Sequence, residues 1–276
     1  MIQPVVIIGA PRSGTNMLRD VLAALPDFGT WPCDEINYIW RHGNRAFPTD
    51  EFPAELATPK VCGYIRCQFE RMRNRLGVTY LVEKTCANAL RVEFVDRVLP
   101  DAKYIFIRRS GTDAAASAIK RWRAPLNLLY VLRKARFVPL VDLPYYAGNY
   151  LANRLHKLLS SENSVSTWGP KFSGMQELAK TRSVAEISAM QWRACVERSR
   201  EAQQAIPANR WIEVRYEDFV SNPVTQLKGI CAFLQVPVAD DQIDQAVAGV
   251  RQDSVGLGKK GLDEKVLAEI ENILDR

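Results

Sequence analysis

The sequence has few of the residues that build metal centres or disulfide frameworks. It contains two histidines and six cysteines in 276 residues, and no two cysteines form a CxxC pair. No zinc-binding spacing is present, so we expect no bound metal, and free thiols in a reducing cytoplasm. Long apolar runs are also lacking, which argues against a membrane-spanning helix. Residues 1–3 lead directly into an apolar segment without a cleavage-site pattern, so we expect no signal peptide.

Acidic residues are fewer than basic ones, with a formal net charge of +6 and an isoelectric point of about 9.0. This balance suits an enzyme for anionic substrates, but it also suits nucleic-acid or membrane-surface binding. The basic residues include two clusters. They are Arg66, Arg71, Arg73 and Arg75 in the first, and Lys120, Arg121, Arg123, Arg133, Lys134 and Arg136 in the second. Such clusters are most often solvated faces, but a surface for an anionic acceptor or for lipid headgroups stays open.

Short apolar runs that alternate with helical patterns predict the fold. The predicted strands are Val5–Ile8, Tyr80–Val82, Lys103–Ile107 and Trp211–Val214. The predicted helices are Thr15–Leu25, Leu90–Leu99, a segment ending near Trp122, and Val224–Leu234. This alternation predicts a single α/β domain over residues 1–276, with a central parallel sheet flanked by helices and with Val5–Ile8 inside the sheet. Residues 124–171 lack the alternation, and we interpret them as a helical insertion.

The segment after the first predicted strand lacks the lysine of a Walker A loop. Its sequence, GAPRSGTN, has Gly9 and Gly14 at the two glycine positions, but Thr15 replaces the lysine and Asn16 replaces the hydroxyl that would hold Mg²⁺. The glycines and the helix N-terminus still suit an anion. Arg12 brings a cation into the loop, which favours phosphate binding without a metal.

This loop resembles that of the PAPS-dependent sulfotransferases, where a P-R/K-S-G-T-T sequence holds the 5′-phosphosulfate of 3′-phosphoadenosine-5′-phosphosulfate (PAPS). The chain has PRSGTN and departs from that pattern only in its last residue. The resemblance implies a P-loop-like sulfotransferase fold and a PAPS donor held by the loop. The implied loop ligands are Arg12, Ser13, Gly14, Thr15 and Asn16.

A second part of the resemblance lies in YIFIRRSGTDAAASAIKRW. In the family, an arginine at a strand end and a serine eight positions later bind the 3′-phosphate of the donor. Arg109 and Ser117 match this spacing. A guanidinium and a hydroxyl together suit a phosphate dianion. Arg108 is the neighbouring alternative to Arg109.

Two further segments extend the resemblance to about residue 262. VRYEDFVSNP resembles a family motif, which implies that Tyr216 lies near the adenine. We interpret Glu217 and Asp218 in this motif as local hydrogen-bond acceptors. SVGLGKKGL resembles the glycine-rich loop that closes on the 3′-phosphate. It implies that Gly258, Lys259 and Lys260 bind the donor.

Sulfuryl transfer needs cations where charge grows on the departing phosphate and a base for the acceptor hydroxyl. The resemblance assigns Arg12 as one catalytic cation and Lys84, at a strand end, as another. A salt bridge with Glu83 is the structural alternative for Lys84. Glu35 matches the position of a catalytic glutamate in related enzymes. Its structural alternative is an N-cap or first-turn acid of a helix at Ile36–Arg41. His42 is the rival base.

The leading hypothesis is a PAPS-dependent sulfotransferase that transfers a sulfuryl group in line, without a metal, to an acceptor hydroxyl. The acceptor is a carbohydrate, a small molecule or a peptide tyrosine, and we expect residues 124–171 to control it as a lid. A P-loop kinase-like phosphotransferase and a non-catalytic nucleotide-binding module are the alternatives. We expect no nucleic-acid partner. A peripheral membrane contact and the oligomeric state stay open.

Overall fold

The computed structural model describes residues 3–122, 139, 142, 168–251 and 255–275, apart from the side chain of Lys259. Its strands are β1 (Gln3–Ile8), β2 (Phe28–Thr30), β3 (Tyr80–Lys84), β4 (Lys103–Arg108) and β5 (Trp211–Arg215). The helices up to residue 122 are α1 (Thr15–Ala23), α2 (Asn37–Trp40), α3 (Pro59–Leu76), α4 (Val92–Val98) and α5 (Gly111–Trp122). The later helices are α6 (Met175–Leu178), α7 (Val184–Gln203), α8 (Tyr216–Ser221), α9 (Pro223–Leu234), α10 (Asp240–Val247) and α11 (Glu264–Leu274).

The five strands form one parallel sheet in the order β2-β3-β1-β4-β5. β1 therefore lies inside the sheet, and its residues Val5–Ile8 are fully buried, as their unbroken apolar run predicts. Successive side chains of a strand point to opposite faces, so β1 contributes to two cores. Val5 and Ile7 pack with α1 and α9, whereas Val6 and Ile8 pack with α3, α4 and α7. The predicted α/β fold with a central parallel sheet is confirmed.

Two predicted helices have different bounds in the structure. α1 ends at Ala23 rather than Leu25, because Pro26 disfavours helical backbone at the residue before it. The helix predicted over Leu90–Leu99 is a 3₁₀ turn at Cys86–Leu90 followed by α4, with a break at Arg91, whose φ is −146°.

Most of the predicted insertion lies outside the described residues, with Pro139, Asp142 and residues 168–171 as its described parts. Its predicted role as a lid therefore stays a prediction. Among the described residues, no helix has both the length and the hydropathy needed to cross a bilayer.

A buried polar network lies behind the end of β3. Glu83 is fully buried and accepts a hydrogen bond from Asn88 Nδ2 at 2.9 Å. Asn88 in turn accepts from Arg91 Nε at 2.9 Å, and Arg91 Nη2 donates to Asn37 Oδ1 at 2.5 Å. Burial raises the pKa of Glu83 to about 7 and lowers the pKa of Arg91 to about 10. The network connects the end of β3 to α2, and α2 borders the cleft described below.

Replacing Glu83 by glutamine should change how stability depends on pH. Burial raises the pKa of Glu83 from 4.5 to about 7, so the folded protein keeps a proton that the unfolded chain releases. Glu83 therefore makes its full contribution to the free energy of unfolding below pH 4.5, and this contribution is lost as the pH rises through about 7. The full loss is on the order of 3 kcal/mol.

Glutamine keeps an oxygen for Asn88 but carries no charge, so Glu83→Gln should gain stability relative to wild type between about pH 5 and pH 8. Urea unfolding at several pH values measures this difference. A difference between the two proteins that stays constant with pH would contradict the buried, proton-bound state of Glu83.

Candidate active site

A cleft of about 850 Å³ lies at the carboxyl ends of the strands. A parallel sheet brings these ends to one edge, so the segments after β1, β3, β4 and β5 all reach the cleft. Most of the predicted site residues line it. They are Arg12, Gly14, Thr15, Asn16, Glu35, Lys84, Arg109, Ser117, Tyr216 and Gly258.

The loop after β1 has an unusual backbone. Arg12 has a φ of 67° and Gly14 a φ of 89°, both in the left-handed region, which costs energy for the non-glycine residue. A hydrogen bond of 3.2 Å from the Ser13 N–H to the Ala10 carbonyl closes the turn. α1 then begins at Thr15 without a side-chain cap. Its first backbone N–H groups are thereby placed to serve an anion in the cleft.

Tyr216 packs tightly on this loop. A Cβ atom at Gly14 would overlap the Tyr216 ring, so only glycine allows the approach. The guanidinium carbon of Arg109 lies 4.5 Å from the centroid of the same ring, which is the range of a cation–π contact. Tyr216 thus connects the loop after β1 with the arginine after β4.

Arg12, Ser117 and Arg109 form one hydrogen-bonded cluster. Arg12 Nε donates to Ser117 Oγ at 3.0 Å, and Arg109 Nη1 donates to the Arg12 carbonyl oxygen at 3.3 Å. Burial lowers the pKa of Arg12, and the positive charges of Arg121 and Arg109 lower it further. The cluster therefore concentrates positive charge that an anionic ligand would neutralise.

Lys84 and Glu35 also line the cleft and form an ion pair, with Lys84 Nζ 3.2 Å from Glu35 Oε1. The same Glu35 oxygen accepts from the Cys86 N–H at 3.3 Å. Burial lowers the pKa of Lys84, but the nearby Glu35 carboxylate and Cys86 raise it, and the net shift is upward. Lys84 therefore stays protonated, although its side chain is 3% exposed.

Both structural alternatives for this pair are wrong. Lys84 pairs with Glu35 rather than with Glu83, because neighbouring residues of a strand point to opposite faces of the sheet. Glu35 precedes α2, which begins at Asn37 without a side-chain cap, so Glu35 is not an acid of its first turn.

Four residues considered for the site from the sequence are not among the described residues that line the cleft. The side chain of Ser13 is fully buried, and Lys260 is exposed. The side chain of Lys259 lies outside the described atoms. Arg108 Nε instead pairs with Glu213 Oε1 at 2.8 Å. His42 lines a different cavity and lies 2.8 Å from Asp142 Oδ2 through its Nδ1.

Sequence reasoning did not assign several charged residues of the cleft, including the following three, to the predicted site. Lys120 and Arg121 line the cleft at the end of α5, although their basic cluster suggested a solvated or acceptor-binding face. Asp113, in the first turn of α5, also lines the cleft and is 4% exposed. The signal that could have revealed the two cations is helical spacing, because Ser117, Lys120 and Arg121 follow at i+3 and i+4.

A parallel sheet whose carboxyl edge carries a glycine-containing loop and a cationic cleft is the arrangement of a P-loop-like α/β protein. The chain belongs to the sulfotransferase family, whose sequence model matches residues 4–136 and 153–240. No individually curated protein matches the chain in sequence.

Solved structures of sulfotransferases are similar in fold. The sulfotransferase domain from the curacin biosynthetic pathway has a TM-score of 0.55 at 15% identity, with 100% of this chain and 97% of that chain covered. The sulfotransferase domain from the Synechococcus PCC 7002 olefin synthase has a TM-score of 0.52 at 16% identity, with 99% and 94% covered. Mouse sulfotransferase SULT7A1, complexed with PAP, has a TM-score of 0.52 at 15% identity, with 98% and 82% covered.

Replacing Gly14 by alanine should separate backbone strain from crowding against Tyr216. Gly77 is the matched control, because its φ is also positive, at 68°, and nothing lies within 4 Å of a Cβ built there. Gly77→Ala should cost about 1–2 kcal/mol of unfolding free energy through strain alone. Gly14→Ala should cost about 1–3 kcal/mol more, because its methyl group must displace the ring.

Urea unfolding of the two variants measures both costs. Equal costs for Gly14→Ala and Gly77→Ala would contradict the close approach of the loop to Tyr216.

Proposed function

We propose that this protein is an enzyme that transfers a sulfuryl group from PAPS to a hydroxyl group of an acceptor. The observation that carries the proposal is the convergence of the loop after β1, the Arg109–Ser117 pair, Tyr216 and the Lys84–Glu35 pair on one cleft. Membership of the sulfotransferase family supports the reaction class. The similar mouse structure is a complex with PAP, which supports a related nucleotide as the donor.

The charge of the cleft fits a donor with anionic groups at both ends. Six cationic and three acidic residues of the described part of the chain line it. The cations are Arg12, Arg41, Lys84, Arg109, Lys120 and Arg121, and the acids are Asp34, Glu35 and Asp113. Each acid already pairs with a cation, namely with Arg19, Lys84 and Arg109 in that order. A polyanionic ligand would neutralise the remaining positive charge.

Neighbouring groups in the cleft suit the two anionic parts of this donor. The loop after β1 offers backbone N–H groups and Arg12 for the 5′-phosphosulfate. Arg109 and Ser117 lie next to Arg12 and offer a guanidinium and a hydroxyl for the 3′-phosphate. Gly258 lines the same cleft, and we propose that Lys259 and Lys260 add positive charge beside it. Ser13 contributes through its backbone, because its side chain is buried.

Bound PAPS supplies a sulfuryl group on a phosphate leaving group. In the transfer, the bond from sulfur to the phosphate oxygen breaks, a bond from sulfur to the acceptor oxygen forms, and the phosphate keeps the electron pair. Arg12 and Lys84 stabilise that growing negative charge, which is where fixed cations are most effective. No residue has to form a covalent bond, so positioning and charge account for the catalysis.

Glu35 serves as the base. Its Oε1 atom is held by Lys84 and by the Cys86 N–H, which fixes the carboxylate at the edge of the cleft. The acceptor hydroxyl passes its proton to this carboxylate as the new bond forms. His42 lies in a different cavity and is not the base in this proposal.

The acceptor side of the cleft is bordered by Trp168 and Pro170. Gln191 Nε2 donates to the carbonyl oxygens of both residues at 2.9 Å, so this wall is fixed to α7. Aromatic and polar residues together suit a ring that carries hydroxyl groups. Carbohydrates, phenolic small molecules and peptide tyrosines have such a ring. The choice among these acceptors stays a prediction, as do the absence of a metal and the cytoplasmic location.

Arg109→Ala should weaken binding of adenosine 3′,5′-bisphosphate by about 30- to 150-fold, because a charge-assisted pair with the 3′-phosphate is worth about 2–3 kcal/mol. Ser117→Ala should weaken it by about fivefold. Arg108→Ala is the matched control and should bind as wild type, since Arg108 pairs with Glu213 and does not line the cleft. Isothermal titration calorimetry measures all four proteins.

Titrations of the wild type with ATP, with and without Mg²⁺, test the donor itself. Tighter binding of Mg²⁺-ATP than of the bisphosphate would reject PAPS and favour the phosphotransferase alternative. A loss of affinity in Arg108→Ala but not in Arg109→Ala would reassign the 3′-phosphate ligand.

Glu35→Gln should keep the affinity for the bisphosphate but lower turnover by about 10²- to 10³-fold, because glutamine cannot accept the hydroxyl proton. The loss should be largest at low to neutral pH, where hydroxide cannot replace the base. Transfer of ³⁵S from labelled PAPS to a panel of phenols and saccharides measures turnover.

His42→Ala is the comparison variant for the base and should retain transfer. Near-normal transfer in Glu35→Gln combined with its loss in His42→Ala would reassign the base to the histidine.

A further inference from the structure

We infer that Asp113 is a positioning residue that holds the glycine-rich loop at residues 255–258 against α5 and thereby shapes the donor side of the cleft. The consequence for the donor rests on the proposed function. The attachment of the loop does not, because it concerns contacts within the free protein.

Both carboxylate oxygens of Asp113 bind this loop. Oδ2 accepts from the Gly256 N–H and Oδ1 from the Gly258 N–H, each at 2.9 Å. The two bonds hold the loop at positions two residues apart, which fixes its direction as well as its distance from the helix. Asp113 is 4% exposed, so water competes little for these oxygens and the bonds are of the strong, charge-assisted kind.

The loop lies on the helix with no space between them. A Cβ atom at Gly258 would overlap Asp113 Oδ1 and would lie 2.6 Å from the Asp113 Cα atom and 3.2 Å from the Ala116 Cβ atom. Gly256 has a φ of 72°, which turns the chain toward Asp113. Glycine at these two positions therefore permits the contact that the carboxylate makes.

The same carboxylate reaches the proposed ligand of the 3′-phosphate. Asp113 Oδ2 lies 3.7 Å from Arg109 Nη2, and the arginine side chain is 10% exposed. Asp113, Arg109 and Gly258 all line the cleft. Displacing the loop or removing the carboxylate therefore changes the wall of the cleft beside Arg109.

The far end of the loop is also attached. It leads through the 3₁₀ turn Lys259–Gly261 into α11, where Ile270 and Ile273 pack in a small core with Ile119 of α5. The loop is thus held by a polar contact at one end and by an apolar core at the other. The carboxylate is the part of this attachment that lies in the cleft.

A helix-dipole role is the competing explanation for Asp113, since acidic residues in a first turn stabilise helices. Glutamate would serve that role as well as aspartate. It would not replace aspartate as a loop ligand, because the extra methylene group has no space beneath Gly258. Asp113→Glu therefore separates the two roles.

Hydrogen exchange of the Gly256 and Gly258 amides in the free protein tests the attachment. An asparagine at position 113 has one acceptor oxygen and presents an NH₂ donor to the second amide, so at least one bond is lost. Asp113→Asn and Asp113→Glu should each speed exchange of these amides by about 10- to 100-fold. Both should weaken bisphosphate binding by about tenfold in calorimetry, through the loop and the altered surroundings of Arg109.

Asp96→Asn is the matched control, because Asp96 also binds an arginine, with Arg210 Nη2 2.5 Å from its Oδ1, but lies away from the cleft. This variant should leave unchanged both the hydrogen exchange of the Gly256 and Gly258 amides and the affinity for the bisphosphate. Gly258→Ala displaces the loop while it leaves the carboxylate intact, so it tests the same contact if a variant of Asp113 does not fold. It should reproduce the faster exchange of the Gly256 amide.

Unchanged exchange in Asp113→Asn and in Gly258→Ala would overturn the attachment, as would wild-type exchange in Asp113→Glu. Faster exchange with unchanged bisphosphate affinity would overturn the consequence for the donor. If the wild type does not bind the bisphosphate, the proposed donor fails along with that consequence, whereas the exchange rates still decide whether Asp113 holds the loop.

Discussion

Repulsion among the cations at the carboxyl edge of the sheet is the constraint on which the rest of the site depends. Burial and the neighbouring arginines lower the pKa of Arg12, which shows that its charge is held against a cost. Internal carboxylates compensate the charges of two other cations that line the cleft. Glu35 pairs with Lys84, and Asp113 pairs with Arg109. Because both carboxylates also accept backbone N–H groups, charge compensation and the attachment of surrounding segments are achieved by the same side chains.

The strained loop after β1 depends on contacts from other strand ends. A left-handed backbone at Arg12 persists only when its surroundings favour it. Arg109 donates to the Arg12 carbonyl, Ser117 accepts from its guanidinium, and the Tyr216 ring packs on Gly14. These three residues follow β4 and β5, so the loop conformation is a property of the assembled sheet. The convergence of the predicted donor residues therefore has a structural cause that is independent of any ligand.

Much of the sheet and of the site could be predicted from sequence because apolar strands and strand-end residues leave local signals. β2 has only three residues, too few to show a period, and it was not predicted. Glu35 and Lys84 were predicted singly but not as a pair, since 49 positions separate them. Asp113 was missed for the same reason, because its partner Gly256 is 143 positions away and a first-turn acid has an ordinary local explanation. Contacts between distant segments depend on tertiary packing, which local patterns do not encode.

The end of α2 accounts for why Glu35 and His42 occupy different cavities although only seven positions separate them. α2 ends at Trp40, which is fully buried, and the chain then turns through Gly43, whose φ is 80°. Had the helix continued, residue 42 would share a face with Tyr38, which lines the cleft. The turn instead stacks the His42 ring on Tyr64, with centroids 3.7 Å apart. His42 lines a second cavity, and none of the described residues that line this cavity also lines the cleft. The position of His42 in a second cavity therefore supports the proposal that the carboxylate beside Lys84, which lines the cleft, is the base.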